Sequence, residues 1–128
     1  MQKQRKVAVI IPCYNESKTI KKVIYDTREN LPNADIYVYD NNSTDGSYEI
    51  AQDCANILER DIFVKREYKQ GKGNVLRTAF REIEADCYII VDGDNTYPLE
   101  NINDMVDMVL NKDVYYCIII CNEMPICL

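Results

Sequence analysis

Short apolar runs alternate with segments of helical periodicity four times along the chain, and this alternation restricts the fold more than any other property. The runs are rich in β-branched and aromatic residues, as expected of strands buried on both faces of a parallel sheet. Predicted strands span residues 7–11, 35–39, 61–64 and 87–91, with a fifth candidate at 114–120. The pattern predicts an α/β domain with a mainly parallel sheet, flanked by helices and joined by right-handed crossovers.

Between these runs, apolar residues recur at helical spacing. The first helix is expected to start near Ser17 and the second to span residues 48–54. The expected inward faces are Ile20, Val23, Ile24 and Leu31; Ile50, Ala51 and Cys54; Leu76, Ala79, Phe80 and Ile83; and Ile102, Met105, Val106 and Val109. No linker, internal repeat or low-complexity tract interrupts the 128 residues. We therefore expect residues 1–128 to form one domain.

Charge and composition exclude several kinds of function. The formal net charge of −6 argues against non-specific nucleic-acid binding, which needs basic patches. The sequence contains no histidine, so a histidine-based catalytic dyad or triad and a histidine-ligated metal are excluded. Any chemistry must use carboxylates, amides, hydroxyls, lysine or backbone groups.

The six cysteines suggest a reducing compartment. No CxxC pair is present, and several cysteines lie in apolar runs, for example Cys87 and Cys117. We interpret them as reduced core residues rather than disulfides. The apolar stretches are too short for a signal peptide or a bilayer span. The expected location is the cytoplasm, including the cytoplasmic face of a membrane.

Asp92 and Asp94 form the sharpest local signal. They follow a hydrophobic strand, and ligands of open α/β sheets bind beyond the carboxyl ends of the strands. Alternate residues of an extended segment point the same way, so both carboxylates could converge on a hard cation such as Mg²⁺ or Mn²⁺. The alternative is a solvent-exposed turn without a ligand, because aspartate, glycine and asparagine all favour turns.

Three other loops carry polar residues at strand ends or helix starts. Asp40 ends the second strand, where its carboxylate could accept hydrogen bonds from a base or a ribose, whereas residues 43–47 suit turn and helix-capping roles. Lys72 lies between two glycines at a helix start, which suits a phosphate or simply a flexible helix entry. In the segment at residues 12–16, Asn15 could cap the first helix. Taken by itself, this segment indicates a structural role rather than a ligand-binding one.

Together these segments resemble glycosyltransferase family 2, which has the Rossmann-like GT-A fold. The matching stretches are VAVIIPCYNES (7–17), DNNSTDGS (40–47), QGKGNVLRTAF (70–80) and IIVDGDNTYP (89–98), and the resemblance covers residues 5–112. Their order and spacing match as well as their content. The sequence of the last stretch is most similar to the corresponding sequence of bacterial polyprenyl-phosphate sugar transferases.

The resemblance implies a nucleotide-sugar-binding domain that transfers a sugar from a donor, expected to be a UDP-sugar. The acceptor would be polyprenyl phosphate or a growing glycan. Residues implied to bind the nucleotide sugar are Pro12, Tyr14, Glu16, Asp40, Lys72, Asp92, Gly93 and Asp94. Asp40 would recognise the base and Lys72 would lie near the diphosphate. Asp92 and Asp94 would hold Mg²⁺ or Mn²⁺, which neutralises the leaving group.

The tail at residues 114–128 does not resemble the continuation expected of this family. It is rich in cysteine and lacks the expected glycines and arginines. We expect a domain that is incomplete at its C-terminus, through a frameshift or premature stop, and the catalytic base is therefore not assigned. Exposed sheet surface would then favour self-association.

Two alternatives remain open at this stage. One is a non-catalytic remnant that only binds the nucleotide sugar. The other is a phosphatase of the haloacid dehalogenase type, whose D-x-D-x-T pattern is met at residues 92–96. That pattern normally follows the first strand of such phosphatases, whereas here it follows the fourth.

Overall fold

A computed structural model describes residues 5–94, Leu99, 102–110, 117–120 and 126–127. The described strands are β1 (Val7–Cys13), β2 (Asp35–Asp40), β3 (Ile62–Arg66), β4 (Cys87–Ile90), β5 (Cys117–Ile120) and β6 (Ile126–Cys127). The described helices are α1 (Ile20–Asn30), α2 (Ser47–Leu58), α3 (Lys72–Glu82) and α4 (Ile102–Leu110). Strands and helices alternate through β5, which confirms the predicted α/β class.

The strands form one sheet in the order β3-β2-β1-β4-β5-β6. All pairs are parallel except β5 with β6, which is antiparallel. From β1 the chain proceeds outward to β2 and β3, then returns to place β4 on the other side of β1. The strand order thus reverses between β1 and β4. Crevices for ligands in open α/β sheets form beside such a reversal, at the carboxyl ends of the strands.

Both faces of the sheet are covered, which explains the continuous apolar runs of the strands. One face packs against α1, α2 and α4, and it includes Val9 and Ile11 of β1. The other face packs against α3, and it includes Ala8 and Ile10 of the same strand. Successive β1 residues therefore alternate between the two cores, as the pleat of a strand requires.

The observed helices correct several expectations. α1 begins at Ile20 rather than near Ser17, and α2 extends to Leu58. The expected inward face of α3 was partly wrong, because its buried residues are Val75 and Ala79 whereas Phe80 is 36% exposed. The apolar stripe of α3 is therefore narrower than the sequence spacing suggested.

Other expectations are confirmed where the structure describes the residues. Ile102 and Val106 of α4 are buried, and the side chains of Met105 and Val109 lie outside the description. Cys13, Cys54 and Cys87 are buried and form no disulfide. The described residues do not include the side chains of Cys117, Cys121 and Cys127. They also do not include residues 114–116, the start of the predicted fifth strand. Within the described residues, no helix has the length and apolar character needed to cross a bilayer.

Candidate functional site

A pocket of about 250 Å³ opens at the carboxyl ends of β1 and β4, beside the reversal of strand order. Elements distant in sequence contribute to it. Its lining residues are Pro12, Cys13, Tyr14, Glu16, Asn41, Lys72, Val75, Asp92, Gly93 and Asp94. Seven of the eight residues singled out from the sequence thus lie on one pocket, and Asp40 is the exception.

The acidic pair lies in a turn that is fastened to β1. β4 ends at Ile90, and a turn follows at Gly93 and Asp94. The backbone N–H of Gly93 donates to Pro12 O at 3.3 Å, and Thr19 Oγ1 donates to Gly93 O at 2.6 Å. The expectation that both carboxylates extend from one strand segment was therefore wrong. The turn nevertheless places both on the pocket.

Gly93 lies so close to β1 that a side chain would not fit without movement. A Cβ built on it would lie 3.2 Å from the carbonyl oxygen of Pro12 and 3.5 Å from Cγ of Glu16. Since few real Cβ contacts are this short, glycine is the residue that lets the turn approach the loop after β1. This close approach explains why the residue between the two acidic residues is a glycine.

Lys72 provides the positive charge of the pocket. It is the first residue of α3, and its Nζ donates to Asp92 Oδ1 at 2.6 Å. The two side chains remain 49% and 26% exposed, respectively. A cation and two carboxylates therefore share a small, solvent-accessible pocket.

Glu16 adds a third negative charge to the wall. Burial raises the pKa of Glu16, and the nearby charge of Asp94 raises it further. Among the described residues, however, no three acidic or cysteine side chains are grouped closely enough to hold a metal by themselves. Asp92 and Asp94 supply the hard oxygen donors that Mg²⁺ and Mn²⁺ accept, and such ions often take one or two carboxylates with substrate phosphates and water. The donor set fits a cation bound together with a phosphate-bearing ligand.

The loop bearing Tyr14 and Glu16 is held by the loop that follows β2. Three successive backbone N–H groups, those of residues 15–17, donate to side chains of the second loop. The acceptors are Ser43 Oγ at 2.8 Å, Ser47 Oγ at 2.9 Å and Asp45 Oδ2 at 3.0 Å. A return bond runs from Thr44 N to Asn15 Oδ1 at 2.9 Å. These bonds fix the first loop before any ligand arrives.

This clamp replaces part of the capping role expected from the sequence, although Asp45 Oδ1 still accepts the N–H of Ser47, the first residue of α2, at 3.1 Å. Asn15 does not cap α1, whose N-cap is Thr19, and Gly46 rather than a polar side chain is the N-cap of α2. Asp45 also accepts from the hydroxyl of Ser47 at 2.5 Å. The hydrogen bond from Ser47 is the main reason that the pKa of Asp45 is lowered to about 2.

Asp40 lies behind the pocket wall rather than on it. It is 2% exposed, and its Oδ2 accepts the N–H of Ser43 at 3.0 Å. Its Oδ1 is buried and has no hydrogen-bond partner among the described residues. Cys13, its neighbour across the strand pair, does line the pocket. Burial, and then the charge of Asp40, raise the pKa of the Cys13 thiol to about 12.

Asn41 is a site residue that the sequence did not reveal. Its side chain is buried, and Nδ2 donates to Glu67 O at 2.8 Å and to Lys69 O at 2.9 Å. Its Oδ1 accepts the N–H of Gly71 at 2.7 Å. Asn41 thereby fixes the segment that delivers Lys72 to the pocket. The sequence signal was weak, because Asn41 and Asn42 are adjacent and only the fold decides which one turns inward.

Comparison with known proteins agrees with this architecture. The model of the family described as Glycosyl transferase family 2 matches residues 8–125. Protein RfbJ of Shigella flexneri is 44% identical over 84% of this chain and 79% of its own length. The dolichol-phosphate mannosyltransferase of Pyrococcus furiosus is 28% identical over 83% of this chain, but only 30% of its own length is covered.

Among solved structures, the mannosyltransferase PcManGT from Pyrobaculum calidifontis, in complex with GDP-Man and Mn²⁺, has a TM-score of 0.76 at 24% identity. The match covers 88% of this chain and 34% of PcManGT. It confirms the Rossmann-like GT-A fold. The family match also leaves the phosphatase alternative without support. From the family model and the identity to RfbJ, the chain belongs to glycosyl transferase family 2.

Proposed function

We propose that the pocket binds a nucleoside-diphosphate sugar and that the chain serves transfer of its sugar to an acceptor. The observation that carries this proposal is the placement of Lys72, Asp92 and Asp94 on one pocket at the reversal of strand order. A diphosphate needs positive charge around its oxygens. Lys72 supplies one such charge directly, and the two carboxylates can recruit another as a divalent cation.

The proposed metal is Mg²⁺ or Mn²⁺, held by Asp92 and Asp94. When bound, it would neutralise the charge that develops on the departing nucleoside diphosphate. The presence of Mn²⁺ in the PcManGT complex supports a divalent ion in this fold. The residues of this chain would orient the donor, with Lys72 on the diphosphate and Gly93 allowing the acidic turn to approach the loop after β1.

The nucleoside is proposed to lie against Pro12, Tyr14 and Glu16, on the loop that is clamped before binding. Asp40 is proposed to recognise the base, with uracil as the first candidate. Its unsatisfied Oδ1 supports this role, because a buried carboxylate oxygen without a donor is costly, and an imide N–H would satisfy it once the wall in front of Asp40 moves aside. Since the PcManGT complex contains GDP-Man, a guanine nucleotide is the comparison that the test must include.

In the proposed reaction, an acceptor oxygen bonds to the anomeric carbon while the bond from that carbon to the diphosphate oxygen breaks. The electron pair of the broken bond leaves with the nucleoside diphosphate. Polyprenyl phosphate or a growing glycan is the proposed acceptor, and the name of the Pyrococcus relative supports a lipid phosphate. A phosphate acceptor is already anionic, so it needs less help from a general base than a hydroxyl does. We assign no catalytic base.

The proposal is tested by calorimetric titration of the chain with UDP and with GDP, each with and without Mn²⁺. The Asp92→Ala/Asp94→Ala variant should lose metal-dependent binding. The matched control is Asp104→Ala/Asp107→Ala, which removes two exposed carboxylates from α4, outside the pocket lining. If the folded chain binds neither nucleotide under any condition, the proposal is wrong. Binding without sugar transfer to polyprenyl phosphate would instead support the binding-only alternative.

A further inference from the structure

The ion pair between Lys72 and Asp92 occupies a carboxylate oxygen that a metal would need. Lys72 Nζ lies 2.6 Å from Asp92 Oδ1, and the two residues come from different elements of the fold. Among the described residues, no third acidic or cysteine side chain completes a metal-holding group with Asp92 and Asp94. A cation entering the free chain must therefore share the Asp92 carboxylate with an ammonium or displace the ammonium from Oδ1. It must also tolerate the positive charge of that ammonium nearby.

A lysine at the first position of a helix is electrostatically unfavourable unless an anion lies nearby. The N-terminus of a helix carries a positive partial charge, which favours anions and disfavours cations. The first turn of α3 contains no acidic residue, and Lys72 is its first residue. An anion at this end would be stabilised both by the backbone N–H groups and by the lysine. In the described structure, Asp92 fills that need from across the pocket.

Lys72 is also placed to change partners. Its side chain is about half exposed, and a lysine ammonium on a four-carbon stem can reorient without moving the backbone. Breaking a half-exposed ion pair of this kind costs little.

We propose that Lys72 couples metal binding to nucleotide binding by exchanging Asp92 for the diphosphate. In the free chain, Lys72 holds Asp92 and weakens the site for a metal alone. When nucleotide and metal arrive together, the ammonium moves to a diphosphate oxygen and releases Asp92 to the metal. This inference rests on the proposed function, and it makes Lys72 a positioning residue that sets the order in which ligands bind.

If Lys72 exchanges partners, its replacement should change Mn²⁺ binding and UDP binding in opposite directions. A simple phosphate contact would not produce this pair of effects. Replacing Lys72 by methionine should strengthen Mn²⁺ binding to the nucleotide-free chain by about fivefold, the equivalent of one half-exposed ion pair. The same change should weaken UDP binding in the presence of Mn²⁺ by about tenfold, because a charge-assisted hydrogen bond to phosphate is lost. If Lys72 only contacted phosphate, the first effect would be absent.

The experiment measures Mn²⁺ binding to the chain from the electron paramagnetic resonance signal of the free ion, without nucleotide. A second titration measures UDP binding at saturating Mn²⁺. Lys65→Met is the matched control, because it removes a lysine that pairs with Glu82 at 3.1 Å at similar exposure, away from the pocket lining. Thermal unfolding of each variant checks that the fold is retained.

The outcomes separate this inference from the proposed function. Stronger Mn²⁺ binding by K72M, with weaker UDP binding and no change in K65M, supports the exchange of partners. Unchanged or weaker Mn²⁺ binding by K72M, in a chain that still binds UDP with the metal, overturns the exchange alone. Absence of nucleotide binding in the unaltered, folded chain overturns the proposed function and the exchange with it.

Discussion

Replacing Asn41 by alanine should destabilise the domain far more than its polar character suggests. The side chain is 4% exposed and makes three short hydrogen bonds, at 2.8, 2.9 and 2.7 Å, to backbone groups of the segment between β3 and α3. Each such bond contributes about 0.5–1.5 kcal/mol net, so the loss amounts to about 2–4 kcal/mol. That is a large share of the roughly 5–15 kcal/mol by which a domain is stable.

Urea unfolding followed by circular dichroism measures this loss. With a slope of about 2 kcal/mol/M, in the middle of the range for small domains, the midpoint should fall by about 1–2 M. Asn74→Ala is the matched control, because its amide donates to Gln70 O at 3.1 Å in a solvent-exposed hydrogen bond at the start of α3. Its midpoint should change little, since alanine also favours the helix.

A second variant tests the direction of the hydrogen bonds. Asn41→Asp keeps the shape of the side chain but replaces the donating amide by an oxygen that faces the carbonyls of Glu67 and Lys69. It should be at least as destabilising as alanine at neutral pH. If Asn41→Ala costs no more than Asn74→Ala, the reasoning about this buried amide is wrong.

Three further predictions concern the pocket wall and the clamp beside it. Gly93→Ala should cost about 1–3 kcal/mol of unfolding free energy, measured by urea unfolding, because its Cβ would lie 3.2 Å from Pro12 O; an unchanged midpoint would contradict this. The pKa of Asp45 is lowered from 3.8 to about 2, chiefly by Ser47, so its ionised form stabilises the fold above about pH 4 and that contribution is lost as the pH falls towards 2. Melting temperatures from pH 5 to 2 should therefore fall less steeply for Asp45→Asn than for the unaltered chain, and equal slopes would argue against it. Burial raises the pKa of Cys13 to about 12, so site-resolved mass spectrometry at pH 8 should find it alkylated slowly in the native chain and rapidly in urea, whereas fast native labelling would show an open pocket wall.

Local patterns in the sequence were sufficient for the class of fold and for the grouping of most candidate residues at one pocket. Apolar runs bounded by polar loops can be satisfied only by strands covered on both faces, and here those strands were found close to the predicted positions. Since parallel strands end at one edge of the sheet, residues such as Tyr14, Lys72 and Asp92 were expected to lie near each other. The pocket brings them together.

Local patterns failed where the partner of a polar group is distant in sequence. Asn15 and Asp45 are good capping residues by type, but Asn15 Oδ1 accepts the N–H of Thr44 and Asp45 Oδ2 accepts the N–H of Ser17, so both join the two loops in the clamp. Asn41 and Asn42 have the same chemistry, and the burial of one of them depends on where β3 and α3 lie. Hydrogen bonds between residues 26 or more positions apart leave no periodic trace in the sequence.

The sequence by itself determined the α/β alternation, the family and the residues that gather at the carboxyl ends of the strands, because these follow from periodicity and short motifs. Only the tertiary structure decided that Asp92 pairs with Lys72 and that Asp40 is buried with one oxygen unsatisfied. It alone also decided that the acidic pair lies in a turn fastened to Pro12. These outcomes depend on distances between elements, and the packing of the whole sheet and its helices sets those distances.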